Sequence, residues 1–254
     1  MSSSEREKWM RKFHVLDKTY GRVIFLPHAG GSASYYRDLC MALSSSNIEC
    51  IAIQYPGRQD RFKEEMIESI EEYADIITEI LVGLDDKPTI LFGHSMGALI
   101  AYNMLARHET ELSFVDLFVA SAHHPPKSSE PYIKGDSASD ENVIAHLKKL
   151  GGFDDRLLSD PTIIEVILPA VENDLQAVSK FHMKSIVKLQ VPIVSVIGMH
   201  DPTTDIESTS EWAKLTAKEF RIVQLSGGHF YFANEHTKLI NIILQLLIKA
   251  GGEH

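Results

Sequence analysis

One stretch near the middle of the chain constrains the fold more than any other. It joins an apolar run typical of a buried strand, Thr89–Phe92, to a helical segment that starts near Met96. Between them lies Gly93-His94-Ser95-Met96-Gly97, a match to the pattern G-x-S-x-G. In such a strand-to-helix turn the central serine is held in a strained backbone conformation, and the flanking glycines remove side chains that would clash. The pattern therefore predicts that Ser95 is a nucleophile presented above the strand ends.

Apolar runs alternate with segments of helical periodicity along most of the chain. The expected strands are Arg22–Pro27, Asn47–Gln54, Thr89–Phe92, Phe114–Ala120, Val191–Ile197 and Phe220–Leu225, and the expected helices are Ser34–Ser45 (capped by Ser32 or Ser34), Ser69–Leu84, one starting near Met96, and Glu235–Ala250. Strands that alternate with helices indicate an α/β fold with a mostly parallel sheet and helices on both faces. The length of 254 residues fits a single α/β domain, residues 1–254, better than two domains.

The alternation breaks between about residues 121 and 190. This part begins with two histidines, two prolines and a serine-rich loop, and it shows no convincing strand. Its helical stretches are Asp140–Leu150, Pro161–Asp174 and Leu175–Val187. About seventy residues is far more than a crossover connection needs, so we interpret residues 122–190 as a helical insertion that forms a lid over the strand ends. An ordinary crossover helix with a long loop is the alternative.

A serine becomes a good nucleophile only when a base takes its proton, and the base needs an orienting carboxylate. In hydrolases with this turn the three residues follow in the order Ser, Asp, His. Asp201 and His229 each come directly after one of the last two predicted strands, at the sheet edge expected for Ser95. The predicted catalytic triad is therefore Ser95, Asp201 and His229. Asp205 is the substitute for Asp201.

Two backbone N–H groups are expected to stabilise the oxyanion that forms when the serine attacks a carbonyl. One belongs to Met96, at the start of the helix after the serine. The other is expected from the loop after the first predicted strand, where His28-Ala29-Gly30-Gly31 allows close backbone approach, and we select Ala29. A plain glycine turn is the alternative. His200 is interpreted as a loop residue, and the remaining histidines, including His14, His108, His146 and His182, as surface or core residues.

Composition narrows the classes of partner. A formal net charge of −10 argues against nucleic acid and against an anionic membrane surface. The polar N-terminal residues carry no apolar segment of the signal-peptide kind, and no apolar run is long enough to span a bilayer, so we expect a cytoplasmic protein. No H-x-x-H or C-x-x-C spacing suggests a metal. Cys40 and Cys50 are expected to be buried free thiols.

With these residues identified, the chain resembles the type II thioesterases, free-standing α/β-hydrolases that accompany polyketide synthases and nonribosomal peptide synthetases. The resemblance runs from about His14 to Ile248, and its markers are Leu26-Pro-His-Ala-Gly-Gly31, Gln54-Tyr-Pro-Gly-Arg-Gln-Asp-Arg61, Phe92-Gly-His-Ser-Met-Gly97, residues 121–126, Leu147-Lys-Lys-Leu-Gly-Gly152, Gly198-Met-His-Asp201 and Gly227-Gly-His229. Of these, Tyr-Pro-Gly-Arg is the most discriminating. The resemblance implies an α/β-hydrolase fold and hydrolysis of acyl thioesters on the phosphopantetheine arm of acyl or peptidyl carrier proteins, which clears stalled or aberrant acyl groups. It implies no cofactor on the enzyme itself.

Carrier domains are usually acidic, so a local basic patch is expected to offset the negative charge of this chain. The candidates are Arg58, Arg61 and Lys63 in one group and Lys148, Lys149, Lys180, Lys184 and Lys188 in another. Arg58 is interpreted as structural, tying its loop to the strand edge. The alternative functions are a medium-chain acyl-carrier or acyl-CoA thioesterase, an esterase for small oxygen esters, and a non-catalytic binding protein with a hydrolase-like fold.

Overall fold

The computed structural model describes residues 3–126, 140–151, 160–183, 185–233 and 235–252, and in these residues seven strands form one sheet. The strands are β1 (Met10–Arg11), β2 (Gly21–Leu26), β3 (Ile48–Ile53), β4 (Thr89–His94), β5 (Leu117–Ser121), β6 (Ile193–Gly198) and β7 (Phe220–Leu225). Their order across the sheet is β1-β3-β2-β4-β5-β6-β7, and every pair is parallel except β1 with β3. The prediction of a mostly parallel sheet is therefore confirmed.

Helices cover both faces of this sheet. In the described residues they are α1 (Ser3–Trp9), α2 (Arg37–Ser44), α3 (Ile70–Leu81), α4 (Met96–Arg107), α5 (Asp140–Leu150), α6 (Pro161–Lys180), α7 (Ile206–Ser210) and α8 (His236–Gly251). Apolar residues of α3 and α4 form one buried cluster with the sheet. Those of α2 and α8 form a second cluster on the opposite face. The doubly covered α/β arrangement expected from the alternation of elements is thus present.

Strand β2 shows how the sequence divides its side chains between the two clusters. Ile24 and Leu26 pack with α3 and α4, whereas Val23 and Phe25 pack with α2 and α8. Successive side chains of a strand point to opposite faces, so a strand buried on both sides is apolar at every position. Each fully buried side chain of this size contributes about 1.5–3 kcal/mol relative to an exposed one. The run of apolar residues is therefore the source of a rigid central sheet.

Some predicted boundaries are wrong. The strand expected from Phe114 begins at Leu117, because residues 111–114 form a turn. The helix expected over Ser34–Ser45 begins with a 3₁₀ turn, Ala33–Tyr36, before α2, and the side chain of Ser32 makes no capping hydrogen bond. The N-terminal pair α1 and β1 was not predicted, and β1 pairs antiparallel with β3 at the sheet edge.

The described part of residues 122–190 contains α5 and α6 and no strand. Helix α5 has the predicted bounds. The two stretches predicted on either side of residue 174 are instead one continuous helix, α6, which runs through Pro169 and ends at Lys180. Asp160 caps α6 by accepting a hydrogen bond from the N–H of Thr162 at 2.9 Å. The serine-rich loop, residues 152–159 and Lys184 lie outside the described residues.

Candidate active site

Ser95 lies at the sharp turn between β4 and α4. Its backbone has φ 54° and ψ −121°, a sparsely populated region for a residue with a side chain. The turn is held by hydrogen bonds on both sides, from Ser95 N to Ser121 O at 2.8 Å and from Ala98 N to Ser95 O at 2.8 Å. Neighbouring backbone therefore holds the strained serine at the carboxyl end of the central strand.

Both glycines of the motif are required by close backbone contacts. A Cβ on Gly93 would lie 2.2 Å from the carbonyl oxygen of Gly97, and a Cβ on Gly97 would lie 2.1 Å from the carbonyl oxygen of Leu26. Real side chains do not tolerate such distances. The second contact joins the start of α4 to the end of β2. As a result, the loop that follows β2 lies beside Ser95.

Asp201 and His229 meet at the same sheet edge, where β6 and β7 end. His229 Nδ1 lies 2.9 Å from Asp201 Oδ2, and both side chains are almost fully buried. The two loops touch so closely that a Cβ on Gly198 would lie 2.1 Å from the carbonyl oxygen of Gly228. A carboxylate can only accept, so Nδ1 carries the imidazole proton and Nε2 keeps its lone pair. His229 Nε2 is buried and has no hydrogen-bond partner among the described residues.

Two threonines that the sequence analysis missed complete the environment of Asp201. Thr203 donates to Asp201 Oδ1 from its N–H at 2.8 Å and from its hydroxyl at 2.7 Å. Thr204 donates its hydroxyl to Oδ2 at 2.8 Å. Burial raises the pKa of Asp201, but the hydrogen bond and charge of His229 and the donors on Thr203 outweigh it, so its pKa lies below the ordinary value. An aspartate commonly accepts the backbone N–H two residues further on, so the sequence signal for this turn is Asp201 itself.

Asp205 and His200 do not join this arrangement. Asp205 caps α7, where its side chain accepts a hydrogen bond from the N–H of Ser208 at 2.7 Å. His200 is exposed. Of the two aspartates considered from the sequence, only Asp201 contacts His229 within the described residues.

A small cavity of about 30 Å³ connects these residues. Its walls include Ser95, Met96, His229 and Thr203 from the sheet edge and Ala29 from the loop after β2. Its roof comes from α5 and α6, through His146, Leu147, Leu150, Val171, Leu175 and Val178. His146, interpreted from the sequence as a surface or core residue, is half-buried and lines this cavity.

The cavity also contains histidines that stay uncharged. Burial lowers the pKa of His28 to about 3, with the charges of His229 and Arg58 acting in the same direction. Burial likewise lowers the pKa of His123 to about 3. His94, behind Ser95, bonds through Nδ1 to Ser121 Oγ at 2.8 Å, and burial holds its pKa well below the ordinary range. The surroundings of His229 are thus polar but carry little competing positive charge.

The loop after β2, which we call the glycine loop (Pro27–Gly31), is supported by Tyr-Pro-Gly-Arg. Tyr55 donates its hydroxyl to the carbonyl oxygen of Pro27 at 3.1 Å. Arg58 donates to the Gly31 carbonyl oxygen at 3.4 Å and to both carboxylate oxygens of Asp174, at 2.5 and 3.1 Å. The expectation that Arg58 ties its loop to the strand edge was incomplete, because its ion-pair partner lies on α6.

The expected basic patch around Arg58 is also wrong. Arg58 and Arg61 are buried, with exposed fractions of 5% and 4%. Arg61 pairs with Glu64 at 2.5 Å and lies over the ring of Trp9 at 4.4 Å. The charges of Arg58 and Arg61 are therefore used inside the protein and do not form a surface for a carrier domain. In the second group, the described lysines Lys148, Lys149, Lys180 and Lys188 are exposed.

The described residues also bear on other classes of site. None of their helices combines the length and the apolar character needed to cross a membrane. Within the same ranges, no group of three or more His, Cys, Asp and Glu side chains is arranged to hold a metal ion. Cys40 and Cys50 are buried free thiols on α2 and β3.

Comparison with known proteins gives consistent matches. The family model described as thioesterase domain matches residues 21–247. The probable cadicidin biosynthesis thioesterase of Streptomyces griseus is 33% identical over 92% of this chain, which spans only 64% of that relative's length. Thioesterase PikA5 of Streptomyces venezuelae is 31% identical over 96% of this chain and 87% of its own. The structure of the type II thioesterase BorB from the borrelidin biosynthetic cluster superposes with a TM-score of 0.84, at 31% identity over 95% of this chain and 98% of BorB.

Proposed function

Because the chain belongs to the thioesterase family, among the type II thioesterases of the α/β-hydrolase fold, we propose that it hydrolyses acyl thioesters on carrier proteins. The acyl group would be attached to the phosphopantetheine arm of an acyl or peptidyl carrier domain. Release of stalled or aberrant acyl groups from a polyketide or nonribosomal peptide synthase is the role proposed for it. One relative is named for cadicidin biosynthesis and the structure of BorB for the borrelidin biosynthetic cluster, which supports a role in a biosynthetic pathway.

One observation carries the chemistry. Ser95 lines the same small cavity as His229, whose Nδ1 is bound to Asp201 and whose Nε2 has no partner among the described residues. In the proposed reaction, Ser95 Oγ attacks the thioester carbonyl carbon while His229 Nε2 takes the hydroxyl proton. The C–S bond then breaks, and the departing sulfur receives that proton. Water, deprotonated by the same imidazole, attacks the acyl-serine; the bond from the acyl carbon to Ser95 Oγ breaks, that oxygen takes the proton back from His229, and the acid is released.

Asp201 is proposed to hold His229 in the required tautomer and to stabilise the imidazolium that forms during each step. Its own carboxylate is fixed by Thr203 and Thr204, so the imidazole ring has little freedom to rotate. The hydrogen bonds to its oxygens also keep Asp201 ionised, so that its negative charge can stabilise the imidazolium of His229. The function proposed for this carboxylate is therefore orientation and charge stabilisation, without proton transfer to Asp201.

The N–H groups of Ala29 and Met96 are proposed to bind the oxyanion of the tetrahedral intermediate. Both residues line the cavity beside Ser95, and no hydrogen bond among the described residues uses either N–H group. Met96 is the first residue of α4, so its N–H also lies at the positive end of the helix dipole. Each such donor contributes about 3–4 kcal/mol to the transition state.

Helices α5 and α6 are proposed to act as a lid, because they form the roof of the cavity beside Ser95, and its volume of about 30 Å³ is small for an acyl chain with its pantetheine arm. Entry of an acyl group of several carbons is proposed to displace part of this roof. The exposed lysines Lys148, Lys149 and Lys180 on α5 and α6 are proposed to attract an acidic carrier domain to the lid.

Mass spectrometry of the protein mixed with an acyl-loaded carrier domain tests this function. We expect a transient adduct on Ser95 with the mass of the acyl group, followed by free acid and unloaded carrier. Acyl-CoA and p-nitrophenyl esters serve as comparison substrates. Faster turnover of p-nitrophenyl esters than of the loaded carrier would contradict the proposal, as would a wild-type protein that hydrolyses no thioester.

A further inference from the structure

The carboxylate of Asp174 lies on α6, outside the triad, and is completely buried. It accepts hydrogen bonds from Arg58 and, at 2.9 Å, from the hydroxyl of Tyr73. It also accepts the backbone N–H of Gly30 at 2.8 Å, in the glycine loop. A single side chain of the helical insertion is thus bonded to the loop that carries Ala29.

The glycine loop is a tight turn whose conformation depends on this bond. Gly31 N donates to the carbonyl oxygen of His28 at 2.9 Å, and Gly30 has φ +71°, the combination typical of a type II turn. Types I and II differ in the orientation of the central peptide, here the one between Ala29 and Gly30. Asp174 accepts the N–H of that peptide, so it selects one of the two orientations.

We propose that Asp174 is a positioning residue for oxyanion binding: by holding the Ala29–Gly30 peptide it fixes the glycine loop against α6 and so keeps the neighbouring N–H of Ala29, on the His28–Ala29 peptide, in place beside Ser95. This inference rests on the proposed function of Ser95 and Ala29. A carboxylate is the suitable acceptor, because it offers no N–H of its own and its bonds to backbone donors are charge-assisted. An asparagine at this position can instead donate to a rotated carbonyl group of Ala29, which would favour the other turn.

The position of Asp174 on α6 adds a second consequence. Val171, one turn earlier on the same helix, lies directly against Gly30. The glycine loop therefore contacts α6 through both a hydrogen bond and a packing contact. These contacts must persist for the oxyanion site to stay complete, so the part of α6 around Val171 and Asp174 stays against the glycine loop while the rest of the lid admits an acyl chain.

Phosphonylation of Ser95 by a fluorophosphonate probe tests the inference without a carrier substrate. Ser95 Oγ forms a bond to phosphorus, fluoride leaves, the proton passes to His229, and the phosphoryl oxygen occupies the oxyanion site. We expect Asp174→Asn to be labelled about ten- to a hundredfold more slowly than the wild type. Glu165→Gln, which removes one exposed acidic charge from the same helix, is the matched control and should be labelled at the wild-type rate.

Two further variants separate positioning from a loss of stability. Arg58→Lys keeps a buried positive charge and the bond between Asp174 and Gly30. We therefore expect a lower melting temperature but little change in the labelling rate. Arg58→Met with Asp174→Leu leaves no unpaired buried charge, so this double variant should fold even if Asp174→Asn does not. It should be labelled as slowly as Asp174→Asn. With a small acyl thioester, folded variants lacking Asp174 should show a tenfold or greater fall in kcat and a KM within about twofold of the wild type.

The outcomes are distinct. A folded Asp174→Asn or double variant that is labelled at the wild-type rate overturns the positioning role. The positioning role is also overturned if Arg58→Lys and Asp174→Asn show the same fall in labelling rate for a given fall in melting temperature. That result is expected of an ion pair that only stabilises the fold. A wild-type protein that the probe does not label contradicts the proposed function itself.

Discussion

Val171 packs directly against the backbone of Gly30, and a Cβ added to Gly30 would lie 2.3 Å from Val171 Cγ2. This contact joins helix α6 to the glycine loop at the residue next to the proposed oxyanion donor, Ala29. The sizes of the side chains at positions 30 and 171 therefore determine how closely α6 packs against the glycine loop. Replacement of either residue therefore tests how the two parts fit together.

Gly30→Ala is expected to destabilise the protein by about 2–4 kcal/mol, because alanine is strained at positive φ and its Cβ overlaps Val171. Val171→Ala in the same chain should relieve the overlap but not the strain. Urea denaturation of the two single variants and the double variant measures this coupling. The double variant should be more stable than the sum of the single effects predicts, by at least about 0.5 kcal/mol. Strict additivity would show that the overlap is relieved in another way.

Ser95→Ala should reduce thioester hydrolysis by about 10³-fold or more, because the acyl group then has no side-chain oxygen to receive it. Release of free thiol from an acyl thioester measures the loss. Ser46→Ala, at an exposed serine outside the site, should retain full activity. A Ser95→Ala protein with undiminished turnover would favour a mechanism in which water attacks the thioester directly.

Asp201→Asn should lower kcat by about 10³–10⁴-fold, since an amide in place of the carboxylate favours the wrong tautomer of His229. Asp205→Asn provides the comparison, because Asp205 caps α7 and has no contact with the imidazole. Its kcat should stay within about twofold of the wild type, and its stability should fall only slightly, because the cap on α7 is weakened. If the two variants exchanged these effects, Asp205 would be the catalytic carboxylate.

Buried His28, His94 and His123 should make the protein less stable as the pH falls below about 6.5. Each has a folded-state pKa far below the ordinary value, so the unfolded chain binds a proton that the folded protein rejects. The stabilisation is complete above pH 6.5 and is lost progressively between that value and the folded-state pKa, which is about 3 for His28. Each histidine contributes a slope of up to about 1.4 kcal/mol per pH unit.

Urea denaturation at several pH values between 5 and 7 measures this slope. In His28→Asn the slope near pH 5 should be smaller than in the wild type by about 1.4 kcal/mol per pH unit. His14→Asn, at a histidine in an exposed position, should leave it nearly unchanged. Equal slopes in His28→Asn and the wild type would mean that His28 accepts a proton in the folded protein.

Gly97→Ala should abolish folding or lower the free energy of unfolding by more than about 3 kcal/mol, because the carbonyl oxygen of Leu26 lies 2.1 Å from where its Cβ would be. Gly252→Ala is the control. Its Cβ would meet its nearest neighbour, the Ile248 carbonyl oxygen, at 3.4 Å, an ordinary contact, and its effect should stay within about 0.5 kcal/mol. Thermal melting of both variants decides whether the motif glycine is required for packing as well as for the turn.

Local pattern predicted most of the sheet, because strands buried on both faces are apolar at nearly every position. It failed where apolar residues are buried without being in a strand. Leu112 and Val115 have exposed fractions of only 1% and 2%, yet they precede β5. Hydrophobicity reports burial, whereas the start of a strand depends on backbone hydrogen bonds to its neighbours. The same limit explains why the two-residue strand β1 was missed.

The site residues that were identified from the sequence lie directly after strands, where topology brings them to one edge. Apart from Thr203 and Thr204, which lie next to Asp201 in the chain, the residues that were missed depend on contacts between distant parts of the chain. Asp174 is 116 positions from Arg58 and 144 from Gly30, and nothing in the sequence near Asp174 indicates a buried carboxylate. Helical periodicity alone placed it within an amphipathic segment of the insertion. Only the packing of α6 against the glycine loop shows what it bonds to.

The ion pair between Arg58 and Asp174 limits how this protein can be recombined with its relatives. A chimera that receives a foreign segment for residues 122–190 must import an acidic residue in register with position 174, or it will retain a buried guanidinium without a counter-charge. Grafts intended to alter substrate range should therefore exchange the Tyr55–Arg58 motif and α6 as one block. The segments to exchange are therefore defined by the ion pair between Arg58 and Asp174, and not by the ends of the insertion at residues 122 and 190.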